Sequence, residues 1–200
     1  EIHRHGIKNV RVLDRTFNYN NKRAKELLNL FLEFSPDICF HLEIHPALLS
    51  EELKKELAGL PKGLLHLEAG IQSLREPVLE QSRRMGRLSD ALDGLKYLCS
   101  LHNMETHADL IAGLPLYHLS EIFEDIHTLA EYGAGEIQLE SLKLLPGTEM
   151  RRRAEELGIQ YAPLPPYEVL QTREISVDEL QTARVLSRLL DGFYNTPTWQ

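Results

Sequence analysis

The chain has 200 residues, room for one sizeable domain, and 42% of them are hydrophobic, an ordinary share for a packed protein. Its formal charge of −8 argues against a nucleic-acid surface, which needs clustered Lys and Arg; the basic run Arg151-Arg152-Arg153 reads as an exposed helix turn. No apolar stretch approaches the ~18–20 residues that cross a membrane, and no signal-peptide pattern is present.

In chain order, Val10 to Asp14 reads as a short strand with β-branched residues. Asn20 and Asn21 then cap a helix whose stripe is Ala24, Leu27, Leu28, Phe31 and Leu32. Ser35-Pro36-Asp37 ends it, because proline disfavours a helical residue before it. Ile38 to Ile44 is the second strand. Ser50 caps a helix through Leu53 and Leu57, closed by Gly59 and Pro61. Leu64 to Ile71 is the third strand, followed by an Arg-rich loop and a helix capped by Ser89 that carries Leu92, Leu95 and Leu98. Glu105 to Ile111 is the fourth strand. Ser120 is expected to cap the helix with Ile122, Phe123, Ile126 and Leu129, and Gly133 to close it. Glu136 to Leu144 is the fifth strand, with Pro146-Gly147-Thr148 opening a helix to Gly158. Ala162 to Pro166 reads as extended. Ser176 and Glu179 form a capping box for a last helix through Leu180, Ala183, Leu186, Leu190 and Phe193.

Strands alternating with helices imply βαβ crossovers and a parallel sheet. Five such units are too few for a closed barrel of eight. The expected fold is α/β: a partial (β/α) TIM-like barrel of about five parallel strands with outer helices over residues 1–160, its first βα unit missing, and a C-terminal extension with one helix over 161–200. Because the chain opens on Glu1 and enters a strand early, it reads as a piece of a longer polypeptide. An exposed sheet edge is expected where that unit is missing, and whether a second copy covers it is left open.

One pattern departs from an ordinary parallel sheet, whose strands are apolar on both faces. His41-Leu42-Glu43-Ile44-His45, His66-Leu67-Glu68 and His107-Ala108-Asp109 alternate polar with apolar residues, so each strand carries imidazoles and carboxylates on one face. A polar ligand against that face is implied, at the carboxyl ends of the strands.

The residues at those ends are Asp14-Arg15-Thr16-Phe17-Asn18, Glu43 ahead of Pro46, Gly70-Ile71-Gln72-Ser73 with Arg84 twelve positions after Gln72, Asp109-Leu110-Ile111-Ala112-Gly113-Leu114-Pro115, and Leu145-Pro146-Gly147-Thr148. From Val10 to Gly158 this set resembles the radical S-adenosylmethionine (SAM) superfamily, in the branch of the oxygen-independent coproporphyrinogen oxidases and the cobalamin-binding radical SAM proteins. The Asp-Arg-Thr-Phe-Asn run and the late Leu-Leu-Asp-Gly-Phe-Tyr-Asn resemble the cobalamin-binding side, with a C-terminal extension of its own. The resemblance implies that Arg84 takes the SAM carboxylate, that Glu43, Gln72 and Asp109 take its ammonium and ribose hydroxyls, and that Ile111 walls the adenine. Gly70 and Gly113 would let backbone approach the ligand, and Asp14 and Ser73 join the cofactor-binding set.

It also implies a 4Fe-4S cluster held by a Cys-x-x-x-Cys-x-x-Cys loop after the first strand. Cys39 and Cys99 are the only cysteines and form no such motif. They also argue against a disulfide framework, which fits a reducing, cytoplasmic setting. The expectation is therefore that the cluster loop lies upstream in the same polypeptide, that an upstream domain binds cobalamin, and that the chain as given is inactive. The intact enzyme would cleave SAM reductively and start radical chemistry on a small-molecule substrate. An anaerobic oxidative cyclase of magnesium-protoporphyrin monomethyl ester is one activity of related branches.

Plainer roles stay open at each position. Gln72 and Ser73 also suit a turn, Arg84 an exposed helix entry, and Asp14 and Asn18 the turn before a helix. Asp109 and Glu43 also suit a satisfied polar core, and Ile111 plain packing. Two other functional readings compete. One is a metal-dependent TIM-barrel hydrolase using His41, Glu43, His45, His66, Glu68, His107 and Asp109, against which stands the span of His-x-Glu-x-His along one strand, about 13 Å at ~3.3 Å per residue. The other is a non-catalytic binding module.

Overall fold

The computed structural model describes residues 3–84 and 86–196. Strand β1 (Asn9–Arg11) leads to helix α1 (Asn21–Leu32), then β2 (Cys39–Ile44), α2 (Glu51–Ala58) and β3 (Leu65–Gln72). A short α3 (Glu76–Gln81) and α4 (Leu88–Cys99) follow, then β4 (Glu105–Ala112), α5 (Leu119–Glu131), β5 (Glu136–Ser141) and α6 (Glu149–Arg152). The chain closes with β6 (Gln160–Tyr161), β7 (Val169–Gln171) and α7 (Val177–Leu189).

Strands β1 to β5 form one five-stranded sheet in sequence order. β1 pairs in parallel with β2, and β2 with β3, the register setting His41 beside His66 and Glu43 beside Glu68. Sequential order with helical connections is the topology of a (β/α) barrel carried through five units, as expected. No helix among the described residues is long and apolar enough to cross a membrane.

The chain divides into two compact units. The first comprises Glu1–Ile71, Gly86–Ala108 and Tyr132–Glu136. Here the period of β2 is visible in its burial: Phe40, Leu42 and Ile44 are buried, whereas Cys39, His41 and Glu43 are half-buried. The apolar face meets helices, with Phe31 of α1 stacked 4.0 Å from Phe40. Asn20 caps α1 by accepting the Arg23 N–H, and Ser50 caps α2 by accepting the Leu53 N–H. α4 begins one residue before Ser89, not after it: Arg87 is its N-cap, without a side-chain cap bond, and holds Asp90 of the first turn through two 3.0 Å contacts. Asp90 places a negative charge at the positive end of the helix dipole, where Ser89 was expected to accept a backbone N–H.

The second unit comprises Gln72–Met85, Asp109–Glu131 and Ile137–Gln200. Ser120 lies inside α5 rather than capping it; Glu121 Oε2 accepts the His118 N–H at 2.9 Å and closes that end instead. Phe123 is exposed, and the buried positions of α5 are Ile122, Asp125 and Leu129. A buried carboxylate thus takes the inner face of α5 together with Ile122 and Leu129, because it has partners (below). The segment Ala162–Pro166, expected to be simply extended, lies between the strands of an antiparallel hairpin, β6 with β7. The helix expected to run to Gly158 stops at Arg152 and continues as turns. The capping box of α7 is present in both directions, Ser176 Oγ accepting the Glu179 N–H and Glu179 Oε2 the Ser176 N–H. α7 buries Leu180 and Ala183 and packs against α5 and β7.

Candidate functional site

In the first unit, Asp14 and Glu43 line one cleft of about 260 Å³ with Arg11, Arg15, His41 and Glu68. The parallel register places Glu43 directly beside Glu68, and adjacent strands stand only ~4.8 Å apart. Arg11 forms an ion pair with Glu68. Asp14 is held by Arg23 Nη1 at 2.6 Å and by the Thr16 N–H at 3.3 Å. The Arg23 hydrogen bond keeps the Asp14 carboxyl below its ordinary pKa. Asn18, from the same loop, is structural. Its amide donates to the His45 carbonyl and accepts the His45 N–H, both at 2.9 Å, extending backbone-like pairing past the end of β2. Phe17 beside it is buried and stacks on Phe31. Gly70 is buried in β3.

In the second unit, Gln72 ends β3 with φ of +73°, a conformation that costs a non-glycine residue of order 1–2 kcal/mol. Ser73 is fully buried, and its hydroxyl is committed. It stands 3.4 Å from Asp125 Oδ2 and accepts the Arg75 N–H at 3.1 Å. Asp125 is the hub. It accepts the Leu74 N–H at 2.8 Å, Arg75 Nε at 2.9 Å and the Tyr117 hydroxyl at 2.6 Å. Burial first, and the Asp125 charge second, push the Tyr117 phenol far above its ordinary pKa, so it remains a donor. One carboxylate therefore ties the turn after β3 to the turn that follows Gly113-Leu114-Pro115. Nothing in the local sequence singled out Asp125 or Tyr117; an acid on the apolar stripe of α5, three residues past Ile122, was the available signal.

Asp109 and Ile111 sit two apart on β4, both half-buried, flanked by buried Ala108, Leu110 and Ala112. They share a strand face, as alternation requires. Arg84 is half-buried, and its neighbour Arg83 is engaged with Glu149. Gly113 has φ of +91°, and a side chain there would meet Val169 and Leu180 at 3.4–3.6 Å. It allows a left-handed turn packed against the chain's own C-terminal segment.

Neither cysteine suits an iron–sulfur cluster. Cys39 and Cys99 are both free, lie 60 positions apart and form no Cys-x-x-x-Cys-x-x-Cys run, so they cannot supply the thiolates that hold such a cluster.

A third group of side chains lies at the opposite ends of the strands. His66, His107 and Glu136 bring one ligand atom each within 4.8 Å of one another. The histidines belonged to the hydrolase constellation read from sequence, but Glu136 did not. Of the other members, Glu68 pairs with Arg11, and His45 is buried beside Gly86.

A family model described as "Protein of unknown function (DUF4080)" matches residues 155–200. No curated protein matches the chain. Among solved structures, it is similar to the radical S-adenosylmethionine methyltransferase TsrM from Kitasatospora setae, with a TM-score of 0.65 and 18% identity over 83% of this chain and 34% of that one. It is also similar to coproporphyrinogen III oxidase (HemN) from Escherichia coli, a radical SAM enzyme, with a TM-score of 0.58 and 18% identity over 86% of this chain and 37% of that one. Elp3 of the archaeon Methanocaldococcus infernus gives 0.55 and 13% over 74% of this chain and 40% of that one. The chain thus spans 34–40% of the length of these proteins. At such identities the likeness shows the fold alone, a partial (β/α) barrel.

Proposed function

We propose that this chain is the barrel portion of a radical SAM enzyme and that the carboxyl-terminal side of its strands holds S-adenosylmethionine. The observation that carries this is the fold likeness over 83% of the chain to a radical SAM methyltransferase. It joins the half-buried polar residues that β2 and β4 present where an ordinary parallel strand is apolar. The zwitterionic, sulfonium-bearing ligand suits the residues offered. Arg84 brings a planar fork for its carboxylate. Glu43 and Asp109 are acceptors for its ammonium and ribose hydroxyls, Gln72 is a further amide for the ribose, and Ile111 is an apolar contact for adenine. Asp14 supports the acidic cleft beside Glu43. Gly70 contributes close backbone approach, and Ser73 acts through the turn it stabilises under Gln72.

The strained Gln72 backbone supports this reading, since such conformations persist where surrounding structure holds them for a purpose. Asp125 is a positioning residue here, acting through Ser73 and Leu74 on the Gln72 turn.

An iron–sulfur cluster does not fit the cysteines present, and no step is assigned to one in this chain. Reductive cleavage of SAM belongs, in this proposal, to the whole protein, with cluster cysteines beyond these 200 residues. The same holds for cobalamin, which one similar structure of TsrM contains, and for the small-molecule substrate. Within the superfamily we favour the cobalamin-binding branch, on the Asp14–Asn18 run. We take 161–200 as an extension particular to it; the family match over 155–200 nearly coincides with that segment.

Binding of SAM and of S-adenosylhomocysteine to the 200-residue chain, followed by ligand-observed NMR at millimolar concentration, tests the site. Arg84→Ala and Asp109→Ala should each weaken binding by at least about 1 kcal/mol, roughly fivefold, the scale of a lost charged hydrogen bond. No adenosyl ligand bound by the parent chain, or affinity in both variants unchanged from the parent's, refutes the assignment.

A further inference from the structure

We propose that His66, His107 and Glu136 form a binding site for a divalent transition-metal ion, zinc by preference, that ties together the amino-terminal ends of β3, β4 and β5. His66 is the second residue of β3, His107 the third of β4, and Glu136 opens β5. Consecutive strands thus each contribute one side chain at the same end. The active sites of such folds lie at the other end, and residues at the amino-terminal face serve stability. The site is separate from the SAM reading and does not depend on it.

The geometry supports an ion more than a set of hydrogen bonds. All three ligand atoms lie within 4.8 Å of one another. His107 Nδ1 stands 3.7 Å from Glu136 Oε2, too long for a hydrogen bond. Two ligands of one tetrahedral zinc, with bonds of about 2.0–2.1 Å, stand about 3.4 Å apart. Small side-chain rotations close that difference. His66 meets His107 edge-on, their rings at 90° and 5.9 Å, so the two imidazoles do not stack face to face and both edges remain able to converge.

The surroundings hold these side chains in place. His41 stacks on His66 at 4.7 Å, with its rings 23° apart. Glu105 Oε2 stands 3.2 Å from His66 Nδ1, the arrangement in which a carboxylate orients a metal-bound imidazole from behind. The Gly135 N–H donates to the Thr106 carbonyl at 3.0 Å, which pins the start of β5 beside His107 and sets where Glu136 begins. His66 and His107 are largely buried, with side-chain exposures of 13% and 7%, while Glu136 at 35% leaves a path for entry and room for a water as a further ligand.

The donor set selects the ion. Two imidazoles and one carboxylate suit zinc and its first-row neighbours. Magnesium and calcium prefer all-oxygen shells, so neither should compete. The site lacks the symmetry-related carboxylates of a dinuclear centre, and one ion is expected.

The test starts from chelator-treated chain titrated with zinc chloride under excess magnesium, by calorimetry and by metal analysis after gel filtration. One equivalent of zinc should be retained, with a rise in Tm. Glu136→Gln keeps size and backbone, and should lower zinc affinity at least tenfold while leaving the metal-free Tm unchanged. His66→Gln should do the same. Cobalt(II) should give the visible d–d absorption of a tetrahedral site in the parent chain and lose it in Glu136→Gln. The exposed pair His127 and Glu131, one turn apart on α5, provides the control for adventitious binding. His127→Ala should leave the tight equivalent intact. Absence of a retained equivalent, retention of full affinity in both Glu136→Gln and His66→Gln, or loss of it in His127→Ala alone overturns the proposal.

Discussion

Removing the Asp125 carboxylate should be the most damaging single polar change in the second unit. Asp125 is 1% exposed, and Arg75 Nη2 also reaches it, at 2.8 Å. Asp125→Ala strands the Leu74 N–H and the buried Tyr117 hydroxyl, each worth about 1–3 kcal/mol when left unpaired. It also removes one partner of a buried ion pair, a change that commonly costs about 3–5 kcal/mol. Arg75 keeps Glu124 at 2.7 Å and is partly solvated, so the lower half of that range applies, about 3–4 kcal/mol. Tyr117→Phe deletes a donor but leaves no stranded hydroxyl, and should cost only about 1–1.5 kcal/mol. Urea unfolding of the parent chain, both single variants and the double variant gives the coupling directly, and at least about 1 kcal/mol between the two positions is expected. The pair also carries a pH signature. The folded-state pKa of Tyr117 is raised, so its contribution is complete below the unfolded value, about 10, and is lost as pH rises above it. Tyr117→Phe should remove that part of the alkaline decline. A loss under about 1 kcal/mol in Asp125→Ala, with m unchanged, would refute the view that this carboxylate organises the turn after β3.

Asn18→Leu should cost about 2–3 kcal/mol in the same assay, because it leaves both backbone groups of buried His45 without the paired amide; hydrogen exchange at the His45 amide should quicken with it. Gly94→Ala should destabilise by about 2 kcal/mol despite alanine's better helix propensity, since its Cβ would lie 2.2 Å from the Pro46 carbonyl oxygen; an increase in Tm would contradict the packing of α4 on that turn. Ser176→Ala should cost about 1 kcal/mol through the lost cap of α7. The Glu179 carboxyl is held below its ordinary value by the Ser176 backbone, so the cap is complete above the usual glutamate pKa and fails as pH drops through the lower folded value. Far-ultraviolet circular dichroism of the parent and of Glu179→Gln across that acid range should converge as pH falls; curves that stay parallel would remove this contribution.

Local chemistry was enough for much of the architecture. Alternating burial along β2 and the Asn20, Ser50 and Ser176 caps follow from neighbours in the chain, because strand faces and helix ends are decided within a few residues. The caps at Ser89 and Ser120 failed for the complementary reason. Several polar residues competed for each helix start, and packing such as Gly94 against Pro46 selected among them. The β6–β7 hairpin joins short segments that carry no period long enough to read.

The polar stripe on the strands was legible, but its division of labour was not. Arg11 neutralising Glu68, Asn18 completing β2, and Asp125 gathering Ser73, Leu74, Arg75 and Tyr117 all join residues many positions apart. Glu136 meeting His66 and His107 is the same kind of fact. Alternation states which face a side chain takes, and that is a property of one strand. Which carboxylate stands opposite which imidazole depends on register and on the docking of separate elements, and those are settled by burial of the apolar faces, far from the polar groups they bring together.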